Sequence, residues 1–317
     1  MKKGKILLLA ALTALSVGVS ACNGSAKYHI GICQLVNHPA LDEATKGFQD
    51  AIKEKLGKDV AFDLQIASGE SANCISIANT FVSKKVDLIM ANATPALAAA
   101  ASSTAEIPIL GTSITEYGVA LGIKDFNGVT GMNISGTSDL APLDEQAQML
   151  VDVFPSAQKV GLLYCAAEAN SKYQVEVVKA ELEAKGLVAK EITFSDSNDL
   201  PTVLRKEAKD VDALYIPTDN TCADNAATID AICQENNLPV VAGEENLCKG
   251  CGAITLSISY YNIGLKTGKM ALEILLDGAD VSKMRIAYDE NPVKKFNKTI
   301  CDRLGITPPA GYVQIEE

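Results

Sequence analysis

The chain has no tryptophan, only two histidines, and just 5% aromatic residues. Carbohydrate clefts usually stack a sugar on a tryptophan face, so the first absence weighs against a sugar site. Few histidines also leave little for general acid–base or metal chemistry. His29 lies inside an apolar strand-like run and reads as structural, while His38 stands in a polar loop. There is no GxSxG elbow, no GxxxxGKS or GxxxxGKT phosphate loop, no HExxH pair, and no GxGxxG following a strand. "TGKMA" at 267–271 belongs to an amphipathic helical pattern, and the adjacent Glu244 and Glu245 are poorly placed to flank one bond. The expectation is a non-enzyme with no cofactor and no metal.

Basic charge is scarce as well. Against 28 Lys and Arg stand 39 Asp and Glu, a net charge of −11. Such a surface disfavours nucleic acid or anionic lipid as a direct partner. After the first twenty residues no run approaches the ~18 apolar residues that a membrane span requires.

The beginning of the chain differs from the rest. Lys2, Lys3 and Lys5 precede "ILLLAALTALSVGVS", which ends at "VSAC", Val19–Cys22. This is the pattern of a secretory signal, residues 1–21, with cleavage leaving Cys22 first. Small residues ahead of that cysteine match a bacterial lipobox, so Cys22 is expected to carry lipid, and residues 22–27 read as a tether. The protein would then be held on the outer side of the cell membrane through its lipid alone. Losing three lysines makes the mature chain still more acidic.

Eight further cysteines follow, at 33, 74, 165, 222, 233, 248, 251 and 301. An even count in an exported chain invites a disulfide framework. Against it, the chain is long enough to bury a large core, and Cys33, Cys165 and Cys233 sit in apolar or helical runs where a thiol packs like a small hydrophobe. Most are expected to be free, with Cys248 and Cys251 of "CKGC" the pair best placed to bridge. One CxxC without a second is weak ground for zinc.

What the sequence has in abundance is alternation. "YHIGIC", "VAFDLQI", "VDLIMAN", "IPILG", "GVTGM", "KVGLLYC", "VAKEITF", "VDALYIP", "LPVVAG" and "GAITLSI" read as strands, most separated by amphipathic helices such as 40–56, 71–84, 95–104 and 140–153. Short apolar strands between helices specify parallel sheets covered on both faces. The pattern restarts near 135–158, so two α/β lobes are expected, each Rossmann-like: 28–135 with 256–281, and 136–255 with 282–317. Chain crossings are expected at "MNISGTSD" (132–139), at 255–259 and at 279–284.

In such sheets ligands bind beyond the carboxyl ends of the strands. The exits are polar throughout: Val36, His38, Pro39 and Leu41; Thr94; Thr112, Ser113, Thr115 and Tyr117; then Glu168, Asn170 and Ser171; Asp219 and Asn220; Glu244 and Glu245. Any one of these acids or hydroxyls could be an ordinary helix cap. If the lobes face each other, however, hydroxyls and helix N-termini converge from one side and carboxylates from the other. Helix N-termini favour an anion, and a buried acid needs a cation. A zwitterion supplies both, which points to an α-amino acid.

The pieces "HPALDEATKGFQDAI", "ILGTSITEYG", "GVTGMN", "LLYCAAEANS", "YIPTDNT", "AGEEN" and "ISYYNIGLKTGKMALEIL" resemble the substrate-binding lipoproteins of ABC importers, in the branch associated with tryptophan and other aromatic amino acids. The likeness runs from about Tyr28 to Pro309. It implies a type I periplasmic-binding-protein fold closing over its ligand by a hinge, a monomer, and ABC permease and ATPase subunits as partners. Cysteines at 165, 222, 248 and 251 beside the polar loops are a departure not assumed for the family. A sugar or other small polar solute, or a sensory receptor domain of the same fold, is the alternative; the chain carries no kinase, methyl-acceptor or DNA-binding segment after its last strand pattern.

Within the amino-acid reading, Thr112, Ser113 and Thr115, with helix-start N–H groups near Thr94, would hold the α-carboxylate. Asp219 would take the ammonium, helped by Asn170 or Glu168, with Glu245 as the other candidate. Val36, Pro39, Leu41 and Tyr117 would line the side-chain pocket.

Overall fold

A computed structural model describes residues 26–316. The expected signal, Cys22 and most of the tether lie outside the described residues. In chain order the strands are β1 (Tyr28–Gln34), β2 (Val60–Ile66), β3 (Leu88–Asn92), β4 (Ile109–Ile114), β5 (Ile134–Ser138), β6 (Lys159–Cys165), β7 (Val188–Phe194), β8 (Ala213–Ile216), β9 (Val240–Ala242), β10 (Ile254–Ser257), β11 (Ala287–Tyr288), β12 (Val293–Phe296) and β13 (Val313–Gln314). The α-helices are α1 (Pro39–Leu56), α2 (Ser71–Lys84), α3 (Thr94–Ser103), α4 (Tyr117–Leu121), α5 (Leu143–Val153), α6 (Ala169–Ala184), α7 (Leu200–Glu207), α8 (Asn220–Asp224), α9 (Ala226–Asn236), α10 (Glu245–Cys251), α11 (Tyr260–Asp277) and α12 (Lys298–Leu304).

Two sheets result, in the orders β11-β5-β4-β3-β1-β2 and β13-β12-β10-β9-β8-β6-β7. The central strands β3, β4, β5 and β8 are buried along their whole length, which is why their sequences do not alternate. Edge strand β7 alternates near its end instead. Pairing is parallel throughout except that β12 runs antiparallel to β10.

Three expectations need correction. "GVTGM" (128–132) is turn, because Gly128 and Gly131 both take positive φ; the strand is the following stretch, Ile134–Ser138. The first sheet therefore extends past residue 135. The last crossing also lies later than 279–284, because Ala287–Tyr288 still pairs with β5 in the first sheet. The chain passes to the second sheet between Tyr288 and Val293.

Helices α1 and α11 pack almost backbone to backbone. A Cβ on Gly47 would lie 2.2 Å from the Tyr261 carbonyl, and one on Gly264 would lie 2.1 Å from the Ala44 carbonyl. Glycine is the only residue that fits at either point. All eight described cysteines are free and buried, Cys248 and Cys251 included. Those two sit with Cys165, Cys222 and Cys233 among the apolar side chains of the second lobe, where they fill volume.

Candidate functional site

The strand exits of the two sheets meet around a small cavity of about 20 Å³ lined by His38, Leu41, Ser113, Thr115 and Asp139 from the first lobe side, and by Asn170, Thr218, Asp219, Asn220, Ala223 and Glu244 from the second, with Tyr260 at the start of α11. Contacts cross it directly: His38 Nε2 lies 3.3 Å from Asn220 Oδ1, and the Thr115 and Thr218 hydroxyls are 3.4 Å apart. The lobes are drawn together.

Of the residues expected at the site, His38, Leu41, Ser113, Thr115, Asn170, Asp219 and Asn220 line this cavity. The others do not, for identifiable reasons. Tyr117 turns inward: it is fully buried, its hydroxyl donates to the Thr137 carbonyl, and its ring occupies the space left by Gly111 and Gly136. Thr112 is held within the first lobe by the Thr137 hydroxyl, itself bonded to Thr267. Pro39 is exposed at the first turn of α1, where its missing N–H costs nothing. Thr94 is buried at the start of α3 away from the cavity. Val36 and Glu168 line a separate, wider groove between the lobes. Ser171 is buried beneath Asn170, whose amide donates to its hydroxyl. Glu245 is paired with Lys295.

The acids at these exits are mostly caps. Asp219 accepts from the Cys165 and Cys222 N–H groups, both at 2.8 Å. Glu168 accepts from the N–H groups of Asn220 and Thr221, from the Asn220 and Asn170 amides, and from the Thr221 hydroxyl. Both Glu168 oxygens are saturated, so that carboxylate is not free for a ligand ammonium, whereas each Asp219 oxygen accepts one backbone N–H. Glu244 caps α10 through Asn246 and Leu247. Burial still pushes Asp219 to about 7, with Glu168 adding to it, and Glu244 to about 8.

Asp139 differs. It stands at the end of β5, fully enclosed, with Oδ2 accepting from the Tyr260 hydroxyl at 2.9 Å and Oδ1 without a hydrogen-bond partner. Burial outweighs the Tyr260 and Thr115 hydroxyls and pushes it to about 6. Asp139, Tyr260, Thr218 and Ala223 were not among the expected residues. Asp139 could have been found by following β5 to its exit like every other strand.

Three more buried atoms at this cavity lack partners: His38 Nδ1, Ser113 Oγ and Asn170 Oδ1. Ser113 is also held at φ 55°, a left-handed conformation unfavourable for a residue with a Cβ. Among the described residues no Lys or Arg side chain lines the space. Buried polar groups are nearly always hydrogen-bonded, so four orphans around one cavity describe a binding site rather than a core. The atoms left open call for a ligand that brings both donors and a cation, admitted when the lobes part.

Two parallel α/β lobes crossed three times, with a polar site between their strand exits, define a type I periplasmic-binding-protein fold. The sequence profile described as "ABC transporter substrate binding protein" matches residues 29–312, and the chain belongs to that family of solute-binding proteins. A tyrosine-binding protein of Clostridioides difficile (strain R20291) is 35% identical over 269 residues, covering 84% of this chain and 77% of the relative. A Streptococcus pneumonia ABC domain solved in complex with L-Trp is 29% identical, covers 91% of this chain and 100% of its own, and superposes with a TM-score of 0.86. A ligand-free, open substrate-binding protein with adhesive properties from Clostridium difficile is 34% identical over 91% of this chain and 99% of its own, yet reaches only 0.69. The ligand-bound structure fits better despite its lower identity, in keeping with lobes that are drawn together here.

Proposed function

We propose that the chain is the extracytoplasmic binding component of an ABC importer and captures an α-amino acid with an aromatic side chain, such as tyrosine, tryptophan or phenylalanine. The observation that carries this reading is the set of four partnerless buried atoms, His38 Nδ1, Ser113 Oγ, Asp139 Oδ1 and Asn170 Oδ1, around one closed space that has acids and, among the described residues, no Lys or Arg. Asp139 takes the ligand ammonium. The Ser113, Thr115 and Thr218 hydroxyls take its carboxylate, and Leu41, Ala223 and His38 surround its side chain. Relatives that bind tyrosine or were solved with L-Trp support the amino-acid class.

Capture proceeds by closure. The lobes bend at the crossings after β5, after β10 and after β11, bringing Asn170 and Thr218 onto a ligand held by Ser113 and Asp139. Cys22 carries the lipid, the protein acts as a monomer, and the closed form docks on the permease and ATPase subunits. Calorimetry of the purified protein against the twenty amino acids and a set of monosaccharides tests the reading. Tight binding of one or more aromatic amino acids is expected; binding of a sugar alone would overturn it. For the anchor, Cys22→Ser should release the protein from membranes, and undiminished retention would discard the lipid.

A further inference from the structure

The orientation of the Asn220 side chain can be deduced from its neighbours. The Glu168 carboxylate already accepts two backbone N–H groups, the Thr221 hydroxyl and the Asn170 amide. A carboxylate so surrounded is an acceptor only, so the Asn220 atom 2.7 Å from Oε2 is its NH₂ group. That leaves Asn220 Oδ1 facing His38 Nε2 at 3.3 Å. A carbonyl oxygen needs a donor, so Nε2 carries the hydrogen. Burial lowers the His38 pKa and keeps the ring neutral, and a neutral imidazole with Nε2–H has a bare acceptor at Nδ1. Nδ1 is the atom that is buried without a partner at the cavity.

Extending the amino-acid reading above, on which this rests, we infer that His38 is a specificity-determining residue: the Glu168–Asn220 pair fixes its tautomer from the opposite lobe, and its Nδ1 accepts a hydrogen bond from a donor on the ligand side chain. His38 follows β1 and Asp139 follows β5, with β3 and β4 between them in the first sheet, so the two reach the cavity from different strand exits. The two residues therefore address different parts of one ligand. With the ammonium at Asp139, the group that meets His38 is the phenol of a tyrosine or the N–H of an indole. Because the lock comes from the second lobe, the acceptor is set only in the closed form.

The expected result is that the wild type binds tyrosine more tightly than phenylalanine by roughly ten- to a hundred-fold, the worth of one buried hydrogen bond whose acceptor is otherwise stranded. His38→Phe should bring that ratio close to one. His38→Asn, which can return an acceptor near the Nδ1 position, should restore part of it. Thermal unfolding of the ligand-free variants checks that each is folded, and the Asn variant provides a second reading should the Phe variant fail. A wild type that binds both amino acids equally would overturn the inference, as would a His38→Phe variant that weakens both in the same proportion. If the wild type binds no amino acid, the underlying functional reading fails instead.

Discussion

The two lobes solve the same problem differently at their strand exits. In the second lobe the polar residues satisfy one another: Glu168 is a hub for α8, Asp219 ties β6 to α8, and Glu244 caps α10. In the first lobe the hydroxyl of Ser113, one oxygen of Asp139 and one nitrogen of His38 are left without partners. One face is largely finished, with Asn170 Oδ1 left open; the other is incomplete until something binds. An acid at the end of a strand is thus no guide to function until its hydrogen bonds are counted.

Breaking an incomplete group should cost binding, and breaking a finished one should cost stability. The largest effect is expected for Asp139→Asn, which removes the charge opposite the ligand ammonium; affinity should fall by about 2–5 kcal/mol. The ligand-free protein should not be destabilised, since a carboxylate raised to about 6 by burial is already unfavourable there. Calorimetry and thermal unfolding on the same variant measure both.

Glu168→Ala inverts the pattern. Five donors lose their acceptor, and stability should drop by about 3 kcal/mol. Asp219→Ala strands two N–H groups and should cost about 1–2 kcal/mol of unfolding free energy, with a smaller change in affinity. Should Asp219→Ala cripple binding in a protein of normal stability, Asp219 rather than Asp139 would be the ammonium partner.

Acidity sharpens the contrast further. Because the closed-form pKa of Asp139 is raised above its ordinary value, the buried carboxyl favours its neutral form, and the stability linked to it is lost as pH rises through about 6. An ammonium ligand favours the ionised form, so affinity should weaken as pH falls below about 6, by at most about tenfold per unit. The Asp139→Asn variant should flatten this limb of a calorimetric titration between pH 5 and pH 8.

The smallest effect concerns Ser113. Ser113→Gly relieves the left-handed backbone at φ 55° and should raise ligand-free stability by up to about 1 kcal/mol while losing one hydroxyl from the site. Denaturant melts resolve a change of this size.

The fold was legible because buried parallel strands are written as unbroken apolar runs, and β1, β3, β4, β6 and β8 all carry that mark. Its errors fall where the mark is missing. β11 has only two residues, and β12, "VKKF", is half-buried and charged, so the last crossing could not be read from hydropathy. The site was partly legible, since strand exits are recognisable and seven of the expected residues do line the cavity. Which way a side chain turns is not written in its type. Tyr117 points into the lobe because Gly111 and Gly136 open a slot for its ring, a tertiary fact. Asp139 was passed over because its stretch was read as a connection between lobes, although a connection at the cleft floor is also a cleft wall.

Helix α1 begins directly after His38, and α11 begins with Tyr260, whose hydroxyl holds Asp139. At Gly47 and Gly264 these helices touch with no side chain between them, and Gly268 lies against Phe48 and Ala51 in the same seam. There is no soft layer there to slide or compress. The two helices behave as one plate, so a ligand pulling on Asp139 at one corner moves His38 at another without lag. A larger residue at Gly264 would prise that plate apart, and recognition at the two ends of the ligand would no longer be mechanically joined.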